Sequence, residues 1–80
     1  MDTTALEILR NVFPREEGQQ NSAVTGLIPI EVFNTMERSL RPFMRRAGVR
    51  AMYRGPRGHY YDQSMTHRAD ATGVLLYLKN

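Results

Sequence analysis

The spacing of apolar residues changes at Gly48, and this change constrains the fold more than any other feature of the chain. Before Gly48, large apolar side chains recur every three or four residues, which predicts an amphipathic helix over 29–47. After it, residues 49–54 alternate between two sets of side chains, which predicts a strand. A helix that passes directly into a strand indicates an α+β fold. The helical stripe comprises Phe33, Met36, Leu40, Phe43, Met44 and Ala47.

Two prolines bear on the predicted long helix. Pro29 suits the first helical position, where its missing N–H removes no hydrogen bond. Pro42 falls inside the segment, where proline removes one hydrogen bond and usually bends the axis. Two alternatives follow: the helix bends at Pro42, or it stops near Arg41 and a new turn begins. Gly48 has the position of a glycine that ends a helix.

Three more segments have recognisable patterns. Residues 4–13 predict a first helix, with Thr4 and Glu7 spaced as a capping box and Pro14 at its end. The GPRG sequence at 55–58 predicts a turn, so the chain returns as a short second strand. Residues 72–79 predict a third strand with apolar side chains on both faces. Such a strand lies inside a sheet, or it uses one face in a dimer.

These elements predict a single small α+β domain that spans residues 1–80. Two helices, about 4–13 and 29–47, precede a two- or three-stranded antiparallel sheet, about 49–54, 58–61 and 72–79. The long helix packs on the sheet. Residues 14–26 are rich in Gly, Gln, Asn and Ser and predict a flexible connector. The C-terminal strand, as a sheet edge, offers a route to a homodimer.

Charge is distributed unevenly along the chain, although the net charge is only +3. Residues 1–37 carry a net charge of −4 and residues 38–80 a net charge of +7, which favours an anionic partner for the second half. The chain has no cysteine, so disulfides and thiolate metal sites are excluded. No apolar run approaches the ~20 residues that cross a bilayer, and the N-terminal segment lacks the basic charge of a signal peptide. We expect a soluble intracellular protein without a membrane partner.

Seven arginines and no acidic residue lie between residues 38 and 57. Arginine binds phosphate with a planar fork and stacks on bases, and interleaved tyrosines suit unpaired nucleic acid. We expect a nucleic-acid-binding module, with RNA slightly favoured over DNA, that makes mainly phosphate contacts. The alternatives are an adaptor or inhibitor that docks on an acidic protein partner, and a solvated surface without a partner. The predicted binding residues are Arg38, Arg41, Arg45, Arg46, Arg50, Arg54, Arg57, Tyr60, Tyr61 and Arg68.

A polar group around two histidines is the other candidate for chemistry. His59 and His67, with Asp62 and Asp70, have the residue types of a general base or a metal site. Their spacing matches no metal signature, and a histidine in a loop is usually only polar. We therefore predict no catalytic residue, no metal and no cofactor. A small nuclease that uses His59 or His67 as general base is the enzyme alternative.

Overall fold

The structure is a computed structural model that describes residues 3–62 and 69–79. It has the predicted α+β architecture, in which helices cover one face of an antiparallel sheet. His67 and Arg68 lie outside the described residues. In chain order the elements are α1 (Thr3–Val12), β1 (Ile28–Pro29), α2 (Ile30–Ala47), β2 (Val49–Arg54), β3 (Tyr60–Asp62) and β4 (Gly73–Leu78).

The sheet has four strands in the order β1-β4-β2-β3, and every neighbouring pair is antiparallel. All three predicted strand segments are present, and the sheet has one strand that was not predicted. The missed strand, β1, has only two residues and ends in Pro29, so it is too short to show the alternation that identifies a strand. The second predicted strand begins at Tyr60 rather than at Gly58.

The C-terminal strand lies inside the sheet, not at its edge. One side of β4 pairs along its whole length with β2, and the other side pairs with β1. The segment before β1 extends this second side, because the Val24 N–H donates to the Leu76 carbonyl and the Leu78 N–H to the Ser22 carbonyl. The predicted route to a homodimer through a free edge of β4 is therefore wrong. Self-association by another surface stays a prediction.

The helix α2 continues through Pro42 as one element, so the alternative in which it stops near Arg41 is wrong. It begins directly after Pro29 and ends at Gly48, whose φ of 68° and ψ of 38° lie in the left-handed region. The Gly48 N–H donates to the carbonyls of Met44 and Arg45. This geometry suits glycine because it has no Cβ to collide with the backbone.

The core lies between the helices and the inner face of the sheet. Helix α1 packs on α2, and α2 packs on β2 and β4. At the centre the Phe33 ring meets the Tyr53 ring edge to face, with centroids 6.1 Å apart. Helix α1 begins at Thr3, one residue before the predicted start at Thr4. The largest fully buried side chains are Phe33, Leu9, Ile28, Leu76, Val24, Val74 and Thr25.

Part of the predicted connector belongs to the core. Residues 23–26 are buried, and Thr25 is fully inaccessible. The sequence did not indicate this because a short buried segment between loops has no period. The predicted mobility of residues 14–22 stays a prediction. Within the described residues, neither helix combines the length and the apolar character that a membrane crossing requires.

Candidate functional site

Three arginines form a row along the outer side of α2. Arg38, Arg41 and Arg45 are all exposed, and at 100° per residue they fall within about 60° of one another around the helix axis. One of them has a partner: the Arg41 guanidinium lies 3.4 Å from the Glu37 carboxylate, four residues earlier. That pair is exposed on the arginine side and contributes little to stability. We call these three residues the helix arginine row.

Arg46 differs from this row. Its guanidinium carbon lies 5.6 Å from the centroid of the Phe43 ring, which is a cation–π contact. Arg46 also lies on another side of α2, between about 80° and 140° around the axis from the three residues of the row. Its side chain therefore covers a partly buried ring at the margin of the core.

Two more arginines lie on the opposite side of the molecule. On β2, Val49, Ala51 and Tyr53 are buried toward the helices, so the alternating Arg50 and Arg54 point to the other face of the sheet. No described helix packs against this face. The structure therefore divides the predicted arginine surface into two groups, because α2 and β2 present their polar sides in opposite directions.

The two predicted tyrosines also separate. Tyr60 pairs directly with Arg54 across the strands, and its side chain is 46% exposed. Tyr61 pairs with Tyr53 and so lies toward the inner face. Its ring packs so closely over Gly55 that a Cβ added there would lie 2.6 Å from it. Tyr60 has the exposure that stacking on a base requires, whereas Tyr61 is a packing residue of the hairpin.

The face of the sheet that points away from the helices carries apolar, aromatic and basic side chains together. Met52 pairs directly with Leu75, and Arg50 pairs directly with Tyr77. Because paired residues of antiparallel strands lie on the same face, these side chains are immediate neighbours. We call this surface the outer sheet face. Among the residues whose side chains the structure describes, it comprises Arg50, Met52, Arg54, Tyr60, Leu75 and Tyr77.

A groove of about 460 Å³ lies on the outer sheet face. Its floor includes Met52 and Leu75, and its wall is the loop of residues 18–23. Side-chain hydrogen bonds hold this loop. The Arg15 guanidinium donates to the carbonyls of Gln19 and Gln20, at 3.3 and 2.9 Å. The Gln19 amide donates to the Thr25 carbonyl at 3.1 Å, which ties the loop to the buried segment.

Sequence reasoning missed the part of this site that is not basic. Met52, Leu75 and Tyr77 were not predicted as binding residues, and neither was the loop that forms the wall. The apolar pattern on both faces of β4 was the available signal. It was ambiguous because it fits burial inside a sheet as well as an exposed face, and only the position of the helices distinguishes the two.

The remaining predicted residues are at or beyond the hairpin. Arg57 is exposed in the turn between β2 and β3, which is closed by a 3.0 Å hydrogen bond from the Gly58 N–H to the Gly55 carbonyl. His59 is also exposed, and so is Asp70, which lies shortly before β4. The described residues include no group of three or more His, Asp or Glu side chains that could hold a metal ion.

Comparisons with protein-family models, with curated proteins and with solved structures found no match to this chain.

Proposed function

We propose that the protein is a small nucleic-acid-binding module, with RNA favoured over DNA, and that arginines supply most of its contacts through backbone phosphates. One observation carries the proposal. Within the described residues, Arg38, Arg45, Arg50, Arg54 and Arg57 are exposed and have no ion pair. A set of guanidinium groups without carboxylate partners is suited to an anionic polymer.

The arrangement of the arginines supports a backbone ligand rather than a single phosphate. The helix arginine row extends about 10 Å along the axis of α2, at 1.5 Å per residue. Arg50 and Arg54 are about 13 Å apart along β2, at roughly 3.3 Å per residue. Charges spaced in this way match successive phosphates of a strand, whereas a small phosphate ligand needs convergent donors. The proposal implies that the protein acts inside the cell.

The preference for RNA is supported by the outer sheet face, where tyrosines adjoin arginines. Proteins read RNA mainly in unpaired regions, where bases stack on aromatic rings. Tyr60, Tyr61 and Tyr77 all belong to the sheet, so none of them lies beside the helix arginine row. The row therefore suits phosphate contacts with any nucleic acid. We therefore assign the outer sheet face as the main contact and the helix arginine row as a second, non-selective one.

The test is a titration of purified protein, free of co-purified nucleic acid, against single- and double-stranded RNA and DNA at several salt concentrations. We expect binding that weakens steeply as salt rises, because bound arginines release counterions from phosphates. The double substitution R50Q/R54Q should weaken binding at least about tenfold and reduce the salt slope by about 1 to 2, one for each lost phosphate contact.

The matched control is R50K/R54K, which keeps both charges and should keep most of the salt slope. A second pair, R41Q/R45Q, removes the same charge from the helix arginine row. Equal losses for the two glutamine pairs would argue against the outer sheet face as the main contact. The absence of binding to every nucleic acid at low salt would refute the proposed function.

An acidic protein partner is the second candidate, and the apolar floor of the groove is the observation that favours it. Met52 and Leu75 resemble the apolar centre of a protein interface, and the arginines on either side of them resemble its polar rim. The affinity for an acidic protein would depend on a few buried side chains. M52A would therefore weaken binding of that protein more than R50Q would, and its affinity would depend only weakly on salt. These two signs distinguish the candidates in a single titration series.

We propose a binding role rather than a catalytic one. His59 is exposed in the hairpin, and a general base acts from a position that orients it toward a bound substrate. The nuclease alternative, with His59 or His67 as general base, predicts cleavage of RNA during the same titrations, and that cleavage would be lost in H59A or in H67A.

A further inference from the structure

We propose that the groove on the outer sheet face binds unpaired nucleobases, with Tyr60 as a stacking platform, and that the protein thereby selects single strands over duplexes. This inference rests on the proposed function and adds the class of nucleic acid to it. The groove, its pairing of rings with arginines, and the composition of its floor carry the argument.

The groove has the size and the lining of a site for planar rings. Its volume of about 460 Å³ falls in the range of small-molecule sites, roughly 300–1,000 Å³. Met52 and Leu75 provide an apolar floor, and Tyr60 and Tyr77 contribute to its sides. A phosphate gains nothing from such a floor, whereas the face of a base does. The groove therefore suits the part of a nucleotide that the exposed arginines do not bind.

Each tyrosine of the groove has an arginine as its direct neighbour on the adjacent strand. Tyr60 pairs with Arg54, and Tyr77 pairs with Arg50. Directly opposite residues have Cβ atoms about 4.5–5.5 Å apart. A ring beside a guanidinium group matches the two parts of one nucleotide, its base and its phosphate. The outer sheet face presents this combination twice, once near each end of β2.

The wall of the groove offers a polar group to a base edge. Gln20 is exposed, and its side-chain amide makes no hydrogen bond within the described chain. The Arg15 guanidinium donates a hydrogen bond to the Gln20 carbonyl at 2.9 Å, which helps to hold the backbone that carries this amide at the wall of the groove. An amide donates and accepts hydrogen bonds, which suits the edge of any base and implies little sequence specificity.

Single strands fit this site and duplexes do not. Within a duplex each base stacks between its neighbours and cannot place a face on Tyr60 or on the floor without being extruded, which costs free energy. A single strand presents its bases without that cost. The helix arginine row lacks both floor and rings, so it does not make this distinction. Strand selection therefore belongs to the outer sheet face alone.

The experiment compares a short single-stranded RNA with a hairpin duplex of the same composition, by titration and by NMR of protein labelled at the methionine methyl groups. We expect the single strand to bind about tenfold more tightly. Y60A should lose about tenfold in affinity for it, as one stacked base does, without a change in salt slope. Y60F keeps the ring and should retain the affinity.

The methyl spectrum reports the position of the bases. Ring currents from a base in the groove should shift the Met52 methyl signal, whereas Met36 and Met44 pack against the core and should not move. Equal affinity for single strand and duplex, an unchanged affinity in Y60A, or an unmoved Met52 signal would each overturn the inference while the proposed function stands. If the protein bound neither RNA nor DNA, the proposed function itself would be refuted.

An acidic peptide is the competing occupant. If it shifts the Met52 signal and loses affinity in Y60A, while single-stranded RNA does neither, the groove is a protein-docking site and the inference is overturned. Y60A replaces a half-exposed side chain on β3, which is an edge strand of the sheet. Unshifted Met36 and Met44 signals in that variant would verify that it is folded.

Discussion

At the scale of single residues, the backbone conformation of Gly48 determines how the helix gives way to the strand. Its left-handed φ and ψ reverse the chain within one residue, and its N–H closes the last turn of α2. The Gly48 carbonyl also accepts a 3.0 Å hydrogen bond from the Lys79 N–H, just after β4. One residue thus joins the end of the helix, the start of β2 and the end of β4.

We predict that G48A destabilises the protein by about 1–2 kcal/mol, because an L-residue with a Cβ pays this cost in the left-handed region. No atom outside the neighbouring residues lies within 4 Å of the added Cβ, so the cost is conformational rather than steric. Urea denaturation followed by circular dichroism measures it. G48N is the control and should lose less, since asparagine tolerates this conformation. Equal stability of G48A and the wild type would contradict the prediction.

At the scale of elements, Pro42 interrupts the hydrogen bonding of α2 without ending the helix. The residues on both sides of it, including Leu40 and Phe43, contact the core, so packing holds the two parts of the helix in line. Pro42 itself is exposed, and the carbonyl that loses its partner, that of Arg38, belongs to a residue on the solvent side. Tertiary contacts here outweigh a local preference.

We predict that P42A stabilises the protein by about 2 kcal/mol or more. The substitution restores a helical hydrogen bond and removes a ring clash, which together cost about 3 kcal/mol or more in a helix interior. Alanine has more conformational freedom than proline in the unfolded chain, which lowers that gain in stability by about 0.4–1 kcal/mol. The same urea titration tests this, with S39A as an exposed control in α2 that should change stability by less than about 0.5 kcal/mol. A loss of stability in P42A would contradict the account.

At the scale of the whole molecule, the arginines lie on two sides of a small body whose radius of gyration is 11.7 Å. Within the helix arginine row, Arg41 and Arg45 are four residues apart, and like charges at this spacing destabilise a helix by about 0.2–0.5 kcal/mol. The same charges therefore raise the affinity for an anionic ligand and lower the stability of the unbound protein. The charges attract an anionic strand, and they repel one another in the unbound protein.

We predict that raising NaCl from about 20 to 500 mM stabilises the unbound protein by roughly 0.5–1 kcal/mol, because salt screens the repulsion between arginines. Urea denaturation at each salt concentration measures the effect, and urea is used because it is uncharged. R45Q removes one member of the repelling row and should reduce the response to salt, whereas R45K should preserve it. Lower stability at high salt would show that attractive pairs dominate.

The sequence predicted the elements whose pattern is local and long enough to show a period. The stripe from Phe33 to Ala47, the stop at Gly48 and the alternation of β2 all follow from side-chain spacing and backbone sterics. The exposure of the arginines follows too, since nothing in their segment neutralises them. These are properties of short stretches of chain, and the folded structure retains them.

Only the tertiary structure decided which residues share a surface. Side-chain spacing places the helix arginines on one face and the strand arginines on another, but only the fold shows that these two faces lie on opposite sides of the sheet. The sequence also leaves Tyr60 and Tyr61 as alternatives for stacking, and the strand pairing shows that Tyr60 is the one on the outer sheet face. The groove joins the loop before β1 to residues of β2, β3 and β4, and the central place of β4 depends on pairing with a two-residue strand more than forty residues earlier. Such contacts join distant parts of the chain, and no local pattern encodes them.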